Sequence, residues 1–330
     1  MKQSYYLYKS GRIERKDNSI EVVYKDHVKR SIPIERIEDL YIMSEFDFNT
    51  NFINFISKYG IVLHFFNYYG FYTGSYYPKE NLVSGKLLIR QVEAYTSEEK
   101  RVSYAKAFIE SASYNIYRNL IYYQNRGKDL KETVKQIEML RKELNYCKTV
   151  KEVMGIEGNI RKAYYESWNT IINQDIQFEK RVKNPPDNAI NSLISYVNTL
   201  VYTRVLSEIY KTQLNPTISY LHEASERRFS LCLDIAEIFK PIIADRLIFS
   251  MLNKNQITEK DFEKNLNFLY IKENARKEIT RELDERLQTK IKHKTLGREV
   301  SYEYLIRLEI YKLIKSLMEE KPYEGFKMWW

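Results

Sequence analysis

Asp234 and Glu237 stand three residues apart in the run Leu231-Cys232-Leu233-Asp234-Ile235-Ala236-Glu237-Ile238-Phe239, an otherwise apolar stretch. At helical spacing the two carboxylates share a face. Leu231, Leu233, Ile235, Ile238, Phe239, Ile242 and Ile243 would surround most of that helix with protein. A carboxylate in such surroundings is costly unless it is paired. Arginine, lysine or a divalent cation could supply the pairing charge, and the nearby His222 favours the metal.

A third candidate ligand, Glu157, lies between Gly155 and Gly158 in a chain that has only 10 glycines in 330 residues. Such flanks imply that something approaches the backbone there or that helices cross tightly; the alternative is a crossing with Glu157 in water. His222 and Glu237 would be roughly 22 Å apart on one straight helix, so the chain must fold back between them. Ser225 is the candidate N-cap of a helix starting near Glu226. Downstream, the ring of Pro241 clashes with the carbonyl four residues earlier, that of Glu237, and a kink is expected beside it.

Two carboxylates and an imidazole with open positions suit Mg²⁺ or Mn²⁺, the nitrogen making Mn²⁺ the more acceptable. Such a centre activates a water or hydroxyl nucleophile and neutralises charge on a phosphate. Arg161, Lys162, Arg181, Lys183, Arg227, Arg228 and Arg246 lie near these residues in sequence and could grip a phosphodiester backbone. Taken singly, each is as well explained as a surface charge.

The elements that must position these groups fall into two textures. From Tyr5 to about Pro78 the pattern is short and β-like: Tyr5–Tyr8, Arg12–Arg15 and Ile20–Tyr24 separated by turns, read as hairpins. Pro33 fits an edge position, a short helix covers Asn49–Tyr59 before Gly60, and Ile61–Phe66 is a buried strand with Phe71–Thr73 as its mate. Beyond Pro78, helices are expected near 84–94, 98–125, 129–145, 149–178, 188–211, 226–252, 258–270, 273–291 and 299–319. The fold class is therefore α+β: a β-sandwich-like domain at 1–78, a linker with a helical start at 79–97, and an all-α catalytic domain at 98–330.

The chain carries 53 Lys and Arg against 44 Asp and Glu, a net +9 that favours polyanionic partners. A composition rich in Lys, Ile, Asn and Tyr accounts for part of that charge. Two cysteines exclude a disulfide framework or a multi-thiolate centre. No apolar run approaches the roughly 20 residues of a membrane span, and the Met1-Lys2-Gln3-Ser4 start lacks a signal-peptide core. A cytoplasmic protein with no membrane association is expected.

Together these motifs resemble the CRISPR-associated protein 1 family, the metal-dependent integrases of CRISPR adaptation. The first is Gly155-Ile156-Glu157-Gly158-Asn159-Ile160-Arg161-Lys162. The second runs from Arg181 through Pro185-Pro186-Asp187 and Asn191 to Ser195-Tyr196. The third runs from Asn215-Pro216 through Leu221-His222 and Arg228-Phe229-Ser230-Leu231 to Asp234, Glu237 and Pro241. Ser219, Asn215 and Lys240 depart from the commonest pattern without removing a ligand. The resemblance implies that Glu157, His222 and Glu237 are metal ligands, that Asp234 lies in or near the coordination shell, and that Tyr202 is near the reacting strand. It implies insertion of prespacer 3′-hydroxyl ends at repeat boundaries, nuclease action on double-stranded and branched DNA, a homodimer, and CRISPR-associated protein 2 as partner. A DNA-binding scaffold whose carboxylates pair internally with Arg227, Arg228 or Arg246, and a metal-dependent nuclease unrelated to adaptation, are the alternatives.

Overall fold

A computed structural model describes residues 2–79, 82–176, 178–182, 186–224, 229–265 and 268–329. The chain divides into two units, Met1–Asn81 with Lys272–Asp284, and Leu82–Ile271 with Glu285–Trp330. The segment 272–284, which the sequence pattern leaves among the helices of the second domain, thus belongs to the strand-rich unit.

That unit contains β1 (Gln3–Leu7), β2 (Gly11–Lys16), β3 (Ser19–Tyr24), β4 (Lys29–Pro33), β5 (Ile37–Ile42), β6 (Phe46–Phe48), α1 (Thr50–Lys58), β7 (Val62–Phe66) and β8 (Tyr72–Tyr76). They form two four-stranded sheets, ordered β1-β5-β7-β8 and β4-β3-β2-β6. Leu7, Leu40 and Leu63 of one sheet share a core with Ile13, Ile20 and Ile32 of the other and with Phe52, Phe55 and Ile56 of α1, so the sandwich expectation holds. β2 and β3 form the expected hairpin. β1, however, pairs in parallel with β5 rather than with β2, because its alternating Tyr5 and Leu7 serve the other sheet. Pro33 ends the edge strand β4, where its missing N–H costs no ladder bond. α1 starts at Asn49, whose side chain accepts from Phe52 N at 3.0 Å, and Gly60 just beyond it has φ +68°.

The second unit is built from α2 (Gly85–Thr96), α3 (Glu98–Gln124), α4 (Lys131–Glu143), α5 (Val150–Glu166), α6 (Trp168–Ile171), α7 (Ala189–Tyr210), α8 (Ser230–Phe239) and α9 (Arg246–Asn253), then β9 (Phe262–Asn265) and β10 (Phe268–Ile271). After α10 (Glu273–Gln288), whose residues up to Asp284 belong to the strand-rich unit, come β11 (Lys290–Lys292), β12 (Glu299–Ser301) and α11 (Tyr302–Glu319). α7 is buried along most of its length, and α8 on nearly all sides. Two asparagines of α3 stitch the helices together. Asn115 Nδ2 donates to the carbonyls of Ile238 and Phe326 at 3.0 and 3.1 Å. Asn119 Nδ2 donates to the carbonyl of Pro241 at 2.7 Å and to the Tyr164 hydroxyl at 3.3 Å.

Two expectations for this unit are corrected. The helix predicted over 258–270 is an antiparallel hairpin of β9 and β10, so the unit is helical with added strands rather than all-α. Short apolar runs carry no decisive period, and here tertiary bonds decide, with Ser192 Oγ donating to Leu269 O at 2.6 Å. The helix predicted over 226–252 starts at Ser230, and Pro241 divides it: residues Pro241–Asp245 form a π-helical turn between α8 and α9. Asp245 N reaches back five residues to Lys240 O at 2.9 Å, the wider spacing that a proline in the ladder imposes. Ser225 and Glu226 lie outside the described residues.

Candidate active site

α5 starts at a capping box. Thr149 Oγ1 accepts from Glu152 N at 3.2 Å, and the Glu152 carboxylate accepts from Thr149 N at 3.2 Å. From the next turns of this helix Glu157, Arg161 and Tyr165 face a cleft of about 560 Å³, whose other walls carry Arg181, Asn198, Glu237 and Lys240. Glu157 and Glu237, 80 positions apart in the chain, thus line one cavity.

Their charges are strongly unequal in setting. Arg161 bridges the two carboxylates, with Nε 3.4 Å from Glu157 Oε1 and a terminal nitrogen on Glu237 Oε2, while Lys240 holds the other oxygen of Glu237. Burial pushes the Glu157 carboxyl above its usual range, and the facing Glu237 charge pushes it further. Burial works in the same direction on Glu237, but Lys240 and Arg161 outweigh it and hold that group well below the usual carboxylate range. The surroundings therefore favour the ionised form of Glu237 and disfavour that of Glu157.

His222 is held by a different carboxylate. Asp234, fully buried in α8, accepts from Tyr220 N at 2.7 Å and Leu221 N at 3.0 Å through Oδ2. Its Oδ1 accepts from His222 N at 3.0 Å and sits 2.8 Å from His222 Nδ1. A carboxylate already surrounded by N–H donors selects the tautomer with the proton on Nδ1, which leaves the Nε2 lone pair outward. Asp234 therefore spends both oxygens folding the 220–222 loop back over α8, the turn the spacing required. The His222 side chain is 24% exposed.

The remaining predicted residues are distributed unevenly. Lys162 and Arg181 line the cleft. Arg181 is anchored by the neutral acceptors Asn191 Oδ1 at 3.1 Å and Ser195 Oγ at 2.9 Å. Tyr202, half-buried on α7, lies one turn beyond the cleft residue Asn198 on the same helix face and is not itself part of the lining. Arg246 lines a second cleft. Arg227, Arg228 and Lys183 lie outside the described residues. Lys240 went unassigned from the sequence, although its i, i+3 spacing from Glu237 was the available signal.

Among the described residues no three His, Cys, Asp or Glu side chains converge closely enough to hold an ion unaided. The donor set still fits a hard divalent cation: two facing carboxylates whose like charges repel, and an imidazole whose ligating nitrogen is fixed by its other one.

A family model described as "CRISPR associated protein Cas1" matches residues 5–285. A CRISPR-associated endonuclease Cas1 of Fusobacterium nucleatum is 63% identical over 330 residues, covering 100% of this chain and 98% of that protein. One of Clostridium perfringens is 50% identical over 333 residues, covering 100% of each. Among solved structures, a CAS1 protein from Thermotoga maritima superposes with a TM-score of 0.85 at 36% identity, over 98% of this chain and all of that one. A casposase bound to integration product has the same fold, with a TM-score of 0.84 at 20% identity over 98% and 93% of the two chains.

Proposed function

The chain belongs to the CRISPR-associated protein 1 family, and we propose that it is a metal-dependent DNA endonuclease and integrase that joins prespacer 3′-hydroxyl ends to phosphodiesters at CRISPR repeat boundaries. The observation that carries this reading is that Glu157 and Glu237, 80 positions apart in the chain, line one cation-rimmed cleft. The relatives named endonuclease support the hydrolytic half of the reading.

Glu157, Glu237 and His222 Nε2 would hold Mg²⁺ or Mn²⁺, which when bound acidifies a hydroxyl nucleophile and neutralises charge on the phosphate under attack. Arg161 and Lys240 neutralise Glu237 when no other cation does, so the buried carboxylate is never left bare. Once displaced from Glu237, both are placed to meet a phosphate oxygen. Lys162 and Arg181 offer charges at the rim for the backbone of double-stranded or branched DNA. Asp234 acts through His222 and is a positioning residue. Tyr202 would contact the reacting strand from the turn beyond Asn198.

A chain of a Cas6-RT-Cas1–Cas2 complex, over part of its length, and a chain of a partial such complex share the fold, and a homodimer assembled on CRISPR-associated protein 2 is the assembly we propose. Among the described residues no helix is long and apolar enough to cross a membrane.

Purified protein incubated with supercoiled repeat-bearing plasmid and a short duplex should join the two only with Mn²⁺ or Mg²⁺, and H222A should lose joining while still binding DNA. Full joining by H222A would remove the proposed ligand. The ion pairs already satisfying Glu237 favour one other reading, a DNA-binding scaffold. It predicts neither cleavage nor thermal stabilisation on addition of Mn²⁺.

A further inference from the structure

The second cleft, of about 520 Å³, is lined by Arg126, Lys128, Arg246, Lys254 and Arg286 together with Tyr122 and Tyr123. Among the described residues no carboxylate lines it, and none of the five cations has an ion-pair partner. Their hydrogen bonds go to neutral groups: Arg246 Nε to Asn119 Oδ1 at 2.8 Å, Lys128 Nζ to Asn173 Oδ1 at 2.7 Å, and Arg286 Nε to Ile242 O at 3.2 Å. The Tyr122 ring has the Arg126 guanidinium 4.3 Å from its centroid and that of Arg246 at 5.3 Å, cation–π contacts that hold both charges in place.

Five like charges around one cavity repel, and burial together with the neighbouring Arg246 charge depresses the affinity of Arg286 for its proton. A cleft lined by charge of one sign focuses the field and concentrates anions there. The first cleft is different in kind, since carboxylates line it and its Arg161 and Lys240 answer them. Arg246 belongs with the second cleft and away from the carboxylates beside which its sequence position placed it.

We propose that this cleft is a second nucleic-acid site, holding the phosphodiester backbone of a strand apart from the Glu157–Glu237 cleft, with Arg126 and Lys254 at its rim and Tyr122 beside them as a platform for a base. Several separate cations suit successive phosphates better than one small anion, and the half-exposed Tyr122 adds a stacking surface that a free phosphate would not use. The assignment rests on the reading that this chain handles nucleic acid, and on nothing about the chemistry at the first cleft.

The test is binding of a fluorescent 20-nucleotide single strand to the full chain and to the double variant R126Q/K254Q over a salt series. Neither residue has an ion pair to lose and Arg126 gives up only an exposed cation–π contact, so the variant should melt close to the native protein. It should bind about tenfold more weakly near 100 mM salt, with the slope of log K against log[salt] shallower by about 1.4, the loss of two single-strand phosphate contacts. Y122A should weaken binding without changing that slope. Unchanged affinity and slope in R126Q/K254Q overturn the site, whereas native protein that retains no oligonucleotide overturns the nucleic-acid reading itself. In a second arm, inorganic phosphate is added alone. Phosphate stabilisation that R126Q/K254Q abolishes, with its oligonucleotide slope unchanged, would make this a free-anion site and refute the strand.

Discussion

Asp234 shows how one residue type serves two purposes that the sequence cannot separate. Its three-residue spacing from Glu237 reads as a pair of ligands, yet its oxygens are taken by three backbone N–H groups and the His222 imidazole. Asp234→Asn keeps the size but turns one acceptor into a donor facing donors. The expected cost is about 3 kcal/mol of stability in urea titration, with strand joining lost because His222 is no longer held. A variant as stable and active as the native protein would show that the loop is fixed by something else. Asp245 makes a second residue-scale prediction. Fully buried, its carboxyl is pushed up to about 7 by burial, a shift that the Arg161 charge opposes. Because the folded value lies above that of the unfolded chain, the contribution to stability is complete below about pH 4 and is lost as pH rises through 7, by on the order of 4 kcal/mol at most. Asp245→Asn should remove that slope. The difference between native and variant urea midpoints at pH 5, 6, 7 and 8 measures it, and parallel profiles would refute it.

Elements were legible where several signals agreed. Asn49, Gly60 and Pro33 each carry a local conformational rule, and the long 3.6-residue periods gave α3 and α7 nearly to their ends. The β9–β10 hairpin was not legible, because Phe262, Leu269 and Ile271 fit either period and the choice is made by contacts with a distant helix. The glycines around Glu157 were half legible. They do not mark a tight crossing, for a Cβ built at Gly155 or Gly158 meets nothing within 4 Å. Both sit inside α5, where alanine is favoured over glycine by about 1 kcal/mol. Gly155→Ala and Gly158→Ala should therefore each stabilise the protein by up to about that much in thermal or urea unfolding. Only Gly158 lines the cleft, so only G158A should weaken DNA binding. If G158A stabilises the fold and leaves DNA affinity untouched, no substrate approaches that backbone and the glycine is a legacy of composition.

At the scale of the molecule, the pairings that matter join residues far apart in sequence, and no local pattern announces them. Arg161 and Glu237 are 76 positions apart, and the strand-rich unit is completed by a segment of chain some two hundred residues downstream. Within that unit the Tyr6 hydroxyl donates to Asp284 Oδ1 at 3.1 Å, that of Tyr8 to Arg276 O at 3.1 Å, and Arg276 to Tyr68 O at 2.7 Å. The Tyr8 hydroxyl is also 2.9 Å from Thr280 Oγ1, and Lys277 Nζ lies 5.6 Å from the Tyr8 ring. A fragment covering residues 1–81 keeps both sheets and their shared core, because all of the strands and α1 lie within it. It lacks the helical segment that satisfies Tyr6, Tyr8 and the Tyr68 carbonyl. Each net hydrogen bond is worth about 1 kcal/mol, so the fragment should fold but melt well below a single-chain version in which residues 272–284 follow residue 81 through a flexible linker. Far-UV circular dichroism melts of the two fragments make the comparison. Equal midpoints would mean that 272–284 decorates this unit without stabilising it, and that a cut near residue 81 separates a unit complete in itself.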